Sequence, residues 1–264
     1  MKRIINILTL ALFSLLLVAC SNDRNDKLVI GVSPIPHEEI VSLIKDDLKK
    51  DGIDLEIVVF NDYVQPNLAL KDKSLDANFF QHVPYMEEFG KKNDIDMVSA
   101  GTVHVEPLKI YSSKVKSISE LDKLKTVSIL IPNDPTNRGR SLILLETAGI
   151  LKLKDSKKLD SGLEDIKSID KKYVITELNS EQIGPRLDEV ELAVINTNNA
   201  LASKITKDKA VFVEGKESPY ANIVTVLRGN ENTEKIKKLM KHLQSQKVKE
   251  FINSKYNGEV VEAF

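Results

Sequence analysis

Four segments of this chain gather side chains able to hold a small charged molecule. In Pro132-Asn133-Asp134-Pro135-Thr136-Asn137-Arg138-Gly139-Arg140, two arginines follow a helix start. Free N–H groups and the macrodipole make such a start hospitable to an anion, and two guanidiniums beside it are unfavourable unless something negative approaches. The arginines are two positions apart and leave the helix on different faces. At most one of them is expected to meet a ligand directly, and the other to lie in solvent. In Ala193 to Ala200 an apolar strand runs out into Asn196-Thr197-Asn198-Asn199, and Glu217-Ser218-Pro219-Tyr220-Ala221-Asn222 supplies a further amide. A carboxamide accepts from an ammonium through oxygen and donates to a carboxylate through nitrogen. Asparagine at a strand-to-helix junction is as commonly an N-cap, and for Asn196 alone both readings stand.

The remaining segment is aromatic: Phe60-Asn61-Asp62-Tyr63, then Asp76 to Tyr85 with Phe79, Phe80, His82 and Tyr85. The chain has 8 Phe, 6 Tyr and no Trp, so these form a concentrated patch. Core packing is the rival explanation. Adjacent residues of an extended segment face opposite sides, so one of Phe79 and Phe80 belongs to a core and the other is free for a pocket.

Catalytic and metal chemistry lack their usual signatures. His37, His82, His104 and His242 are scattered, Cys20 is the lone cysteine, and no zinc-type spacing occurs. No nucleophile elbow, P-loop or dinucleotide fingerprint is found, so no cofactor is expected. The acidic pairs Asp46/Asp47 and Asp94/Asp96 read as solvated surface. With 38 Lys+Arg against 39 Asp+Glu, there is no basic field to attract nucleic acid.

Cys20 carries a different chemistry. It ends Leu17-Val18-Ala19-Cys20, after an apolar run that begins beside Lys2 and Arg3. The layout is that of a secretory signal peptide, and the four residues resemble the lipobox of bacterial lipoproteins, whose cysteine is lipidated and becomes the mature N-terminus. The run from Ile4 is shorter than the about 20 residues of a spanning helix. Residues 1–19 are therefore expected to be removed, with Cys20 carrying a diacylglyceryl group and residues 20–26 serving as a tether. The domain then works at the outer face of the cell membrane.

The rest must position these segments. Leu28 to Val32 reads as a strand, Ile40, Val41, Ile44 and Leu48 recur at helical spacing up to Asp51-Gly52, and Leu55 to Phe60 is a second strand, a βαβ unit. Val103 to Tyr111 is extended, with Glu106-Pro107 opposing helix. Ser117-Ile118-Ser119-Glu120 has the capping-box pattern. Thr126 to Ile131 is a strand, and Asp134-Pro135 caps a helix that Gly149 ends. Leu151 to Lys172 reads as loop with a short helix at 161–169. Strands follow at 173–178, 192–195, 211–213 and 223–227, and 233–246 is a closing helix. Two α/β lobes joined by two extended crossings suit a clamshell whose cleft is the site.

Taken together these segments resemble the substrate-binding lipoproteins of methionine ABC transporters, the NlpA-type family. The resemblance rests on Gly31 to His37, Phe60 to Tyr63, Asp76 to Tyr85, Glu106-Pro107, Pro132 to Arg140, Ala193 to Thr197 and Glu217 to Asn222. It implies an α/β, two-lobed, periplasmic-binding-protein-like clamshell with a mixed sheet in each lobe and two crossover strands. It divides the chain into lobe 1 at 27–108 and 221–264 and lobe 2 at 109–220. It also implies a non-enzymatic protein that closes on a free amino acid, L-methionine foremost, and delivers it to a permease driven by a cytoplasmic ATPase. By position, Arg140 takes the carboxylate, Asn196 and Asn222 fix the amino-acid backbone, and Tyr63, Phe80, His82 and Tyr85 form the side-chain pocket. Sulfur–aromatic contacts there are worth about 0.3–1.5 kcal/mol each. One departure is Asn199, where the family often has an aromatic. If it touches ligand, a more polar side chain or a small peptide is favoured; if it stands behind, nothing changes. An exported enzyme and a surface adhesin remain as alternatives.

Overall fold

The computed structural model describes residues 26–215 and 219–264. Strands in chain order are β1 (Lys27–Val32), β2 (Asp54–Val59), β3 (Ala77–His82), β4 (Met97–Val105), β5 (Lys109–Tyr111), β6 (Val127–Pro132), β7 (Leu151–Leu153), β8 (Ile166–Ile169), β9 (Tyr173–Leu178), β10 (Leu192–Ile195), β11 (Ala210–Val213), β12 (Ala221–Leu227) and β13 (Val261–Glu262). They form two main sheets, ordered β13-β4-β12-β3-β1-β2 and β11-β5-β10-β6-β9, and a small β7-β8 pair. Both main sheets are mixed. In the first, β1 runs parallel to β2 and β3 while β12 is antiparallel to β3 and β4. In the second, β6 is parallel to β9 and β10, and β5 is antiparallel to β10 and β11.

The chain passes between the sheets twice, at Glu106 to Leu108 and between β11 and β12. The result is the two-lobed α/β clamshell the sequence led us to expect. Each sheet carries its own core. One face of the first packs Leu28, Ile30, Val32 and Phe79 against Ile40, Ile44, Leu48, Ile236, Leu239 and Ile252, all buried. The second packs Ile129 and Ile131 against Leu142 and Leu145. Each fully buried aliphatic side chain contributes about 1.5–3 kcal/mol relative to exposure, so each lobe is held by its own apolar layer without a disulfide.

Several elements differ from expectation. The first helix is two, Glu39–Leu43 and Lys45–Lys50, because Ile44 leaves helical geometry at φ −100°, ψ 1°. Ser117 makes no side-chain cap; its segment is a 3-10 helix, and Glu120 accepts instead from the Lys116 N–H at 3.1 Å. The region read as loop and short helix after Leu151 contains the antiparallel pair β7-β8, with only a 3-10 turn at Leu163–Asp165. The closing helix is Glu234–Leu243, with Ile236, Leu239, Met240 and Leu243 on its buried stripe. It is followed by an unanticipated helix, Gln246–Tyr256, started by Ser245. Cys20 and residues 1–19 lie outside the described residues.

Candidate ligand-binding site

The aromatic wall comes from the first lobe. β3 is buried along its whole length, and its pairing with β12 steps from Ile223↔Gln81 to Val224↔Phe79, so Phe80 has no opposite number. Such a bulge re-aims a side chain. Phe79 stays in the core, and Phe80 turns into the cleft. His82 ends the strand and caps the helix Val83–Asn93 by accepting from the Tyr85 N–H through Nδ1 at 3.2 Å. Tyr63, Phe80 and Tyr85 stand 5.9 to 6.1 Å apart between ring centroids, and the Tyr85 hydroxyl donates to the Tyr63 carbonyl at 2.7 Å. Burial pushes the Tyr63 and Tyr85 hydroxyls well above their ordinary pKa.

Charge comes from the second lobe. Asp134 caps the helix Pro135–Thr147 by accepting from the Asn137 N–H at 2.9 Å. Two turns in, Arg140 is 4% exposed. Its Nε donates to Glu214 Oε1 at 2.8 Å, and its Nη2 donates to the Glu106 carbonyl at 2.8 Å and to Glu214 Oε2. The guanidinium carbon lies 4.2 Å from the Tyr220 ring centroid. Arg138 turns away, as its position required, but it is not solvated: Nε donates to the Ser161 carbonyl at 3.1 Å, and Nη1 lies 3.7 Å from Glu177 Oε1.

The amides complete the cleft. Asn196 precedes the helix Thr197–Ala202, yet its side chain makes no cap bond; Nδ2 donates to Asn137 Oδ1 at 2.8 Å. Asn222, on β12, sets Oδ1 3.0 Å from His37 Nε2. Asn199 does not line the cleft; its Nδ2 donates to the Tyr63 hydroxyl at 3.1 Å from behind. One cavity is lined by Tyr63, Phe80, His82, Tyr85, Arg140, Asn196 and Asn222. Every residue singled out as a ligand contact therefore faces one space.

Sequence reasoning missed Gln81, Asn137, Thr197 and Asn198 on the same lining, and the role of Glu106. Glu106 is buried on the first crossing, accepting from His104 Nε2 at 2.8 Å and from the Asn198 N–H at 2.8 Å. Burial alone would raise its carboxyl, but the His104 hydrogen bond, the His37 and His104 imidazoles and the Asn198 N–H hold it below the usual value. His37 is held down to about 4 by burial, and His82 to about 3 by burial and the neighbouring Arg140 charge. The ligand atoms of His37, His104 and Glu106 lie within 4.8 Å of one another. Both Nε2 atoms are already engaged, by Asn222 and by Glu106, so the cluster serves as a hydrogen-bonded support under the cleft. No helix among the described residues is long and apolar enough to cross a membrane.

The family model described as NlpA lipoprotein matches residues 28–264. The chain belongs to the NlpA lipoprotein family. Among NlpA-family relatives, it is 40% identical over 257 residues to the D-methionine-binding lipoprotein MetQ of Escherichia coli (strain K12), covering 95% of this chain and 94% of that protein. It is 38% identical over 275 residues to the methionine-binding lipoprotein MetQ of Bacillus subtilis (strain 168), covering 99% and 98%. A nutrient binding protein from Burkholderia cenocepacia, solved bound to methionine, superposes with a TM-score of 0.85 at 38% identity, covering 90% of this chain and all of that one.

Proposed function

We propose that this NlpA-family chain is the extracytoplasmic receptor of an ABC transporter, capturing a free amino acid and handing it to the permease. L-methionine is the leading ligand, in keeping with the names of the relatives. The observation that carries this reading is the convergence of Arg140, Asn196, Asn222 and four rings, from separate stretches of chain, on one buried cavity. Arg140 takes the carboxylate, the amides orient the ligand's head, and Tyr63, Phe80, His82 and Tyr85 enclose the thioether. We place the lobes at 27–108 with 221–264 and at 109–220. Cys20 holds the protein on the outer membrane face through two acyl chains, enough for stable attachment. No catalysis is assigned to it.

Thermal unfolding with each of the twenty amino acids, and with D-methionine, tests this. L-methionine should raise the midpoint most, equivalent to about 2.7 kcal/mol at 100 times its dissociation constant. A larger response to D-methionine reassigns the stereochemistry, turnover of a bound compound indicates an enzyme, and indifference to all of them supports an adhesin.

A further inference from the structure

Asn196 presents a polar atom that nothing among the described residues satisfies. Its Oδ1 is buried and has no hydrogen-bond partner among the described residues, while its Nδ2 is committed to Asn137 Oδ1 at 2.8 Å. A buried acceptor without a donor is costly unless a ligand supplies one. Which end of the amide faces the cleft is therefore a functional choice, and two independent chains of hydrogen bonds make it.

The first begins at Asp134, which does not line the cleft. Its carboxylate accepts from the Asn137 N–H at 2.9 Å and from Thr136 Oγ1 at 3.2 Å, and Ser180 Oγ lies 3.5 Å away. Burial raises the Asp134 carboxyl, opposed by the hydrogen bonds from the Asn137 N–H and amide, Thr136 and Ser180; in its ionised form it is an acceptor only, and Asn137 then turns Nδ2 toward it, 3.0 and 3.1 Å from its two oxygens. That leaves Asn137 Oδ1 on the cleft side. The second chain begins at the Tyr85 N–H, a donor only, which holds His82 Nδ1 as an acceptor. The His82 proton then sits on Nε2, which faces the same Asn137 Oδ1 at 3.4 Å. Burial keeps that imidazole neutral, so it has one proton to place. Both routes make Asn137 Oδ1 an acceptor, and Asn196 can meet it only with Nδ2.

Building on the amino-acid reading, we propose that Asp134, acting through Asn137, is a positioning residue that turns Asn196 Oδ1 into the cleft to accept from the ligand's ammonium group. The polarity of the site is then fixed before the ligand arrives. Arg140 marks the carboxylate end, and the orphan oxygen of Asn196 marks the ammonium end.

The test is calorimetric titration of the full chain with L-methionine and with 4-(methylsulfanyl)butanoate, the same skeleton without its amino group. A charge-assisted hydrogen bond predicts that the wild type prefers methionine by about 10- to 100-fold. Asp134→Asn keeps a good helix cap but no longer dictates the Asn137 amide. The preference should fall to about threefold or less through weaker methionine binding, with the analogue unaffected. Asn137→Ala leaves the Asp134 cap in place and should compress the same ratio, so the result stands if one variant folds poorly. Variants that retain the wild-type ratio, or lose both affinities equally, overturn the relay and leave the amino-acid reading intact. A wild type that binds both compounds equally overturns the ammonium assignment. A wild type that binds neither overturns the amino-acid reading itself.

Discussion

Replacing Arg140 by alanine, with Arg138→Ala beside it, tests the placement of the ligand carboxylate. Arg140 is almost fully buried, lines the cavity, and is braced by two bonds to Glu214 and one to the Glu106 carbonyl, so its fork is oriented in advance. Truncation removes a charge-assisted bond worth about 1.5–3 kcal/mol. It also leaves the Glu214 carboxylate near the position the ligand carboxylate would take. Losing one partner of a buried pair costs about 2–5 kcal/mol in total, a rise in Kd of roughly 30- to 4,000-fold. Arg138 points at Ser161 and Glu177 and does not line the cavity. Its truncation should change Kd by less than about threefold, because the partly exposed ion pair and the Ser161 bond that are lost lie away from the cavity. Calorimetric titration reads both. The pair Arg140→Ala with Glu214→Gln separates repulsion from lost attraction, since removing the stranded charge should recover about tenfold. Equal, small losses at the two arginines would refute the placement, as would an Arg140→Ala protein that keeps its affinity.

Three further outcomes are expected. The Tyr63 hydroxyl donates to Asn198 Oδ1 at 2.7 Å across the cleft and accepts from Asn199 Nδ2 at 3.1 Å; Tyr63→Phe should weaken ligand binding by about 5- to 100-fold, the loss of two neutral hydrogen bonds, and stopped-flow release should show it mainly in the off-rate. A Cβ at Gly139 would sit 2.0 Å from the Leu159 carbonyl oxygen, so Gly139→Ala should lower stability to urea by about 1–3 kcal/mol. His37 and His82 titrate at about 4 and about 3 in the fold against 6.5 when unfolded, so below pH 6.5 the unfolded chain binds more protons. Stability in urea should fall there by on the order of 1 kcal/mol per imidazole per pH unit, ending near pH 4 for one and pH 3 for the other, and a flat profile from pH 7 to 5 would contradict their burial.

Where a local physical rule decided the structure, the sequence was readable. Asp134-Pro135 is a cap before a proline that tolerates no other place in a helix, and the helix begins there. Phe79-Phe80 must split between two faces, and the pair does. Long-range pairing was less legible. β7 and β8 are three and four residues long, with lysines on their exposed face, so neither shows enough alternation to be read without the other. His37 and His104 meet only because the sheet order brings β1 and β4 to either side of β3 and β12. For Asn196, residue type announced a versatile group, but the atom it presents is set by Asp134 and His82 through Asn137. The possibility that Asn199 touches ligand gives way to a place behind Tyr63, because the helix from Thr197 turns it outward.

The division of the cleft between lobes has a consequence for discrimination. Arg140, Asn137 and Asn196 ride on the second sheet's elements, whereas Tyr63, Phe80, His82 and Tyr85 ride on the first. Asn222, on β12, also rides on the first. Under the proposed reading the ligand's head is thus held by Arg140 and Asn196 from one jaw and by Asn222 from the other, while the tail lies against the first jaw alone. On that reading, full engagement of the head needs both jaws, so recognition and closing are one event.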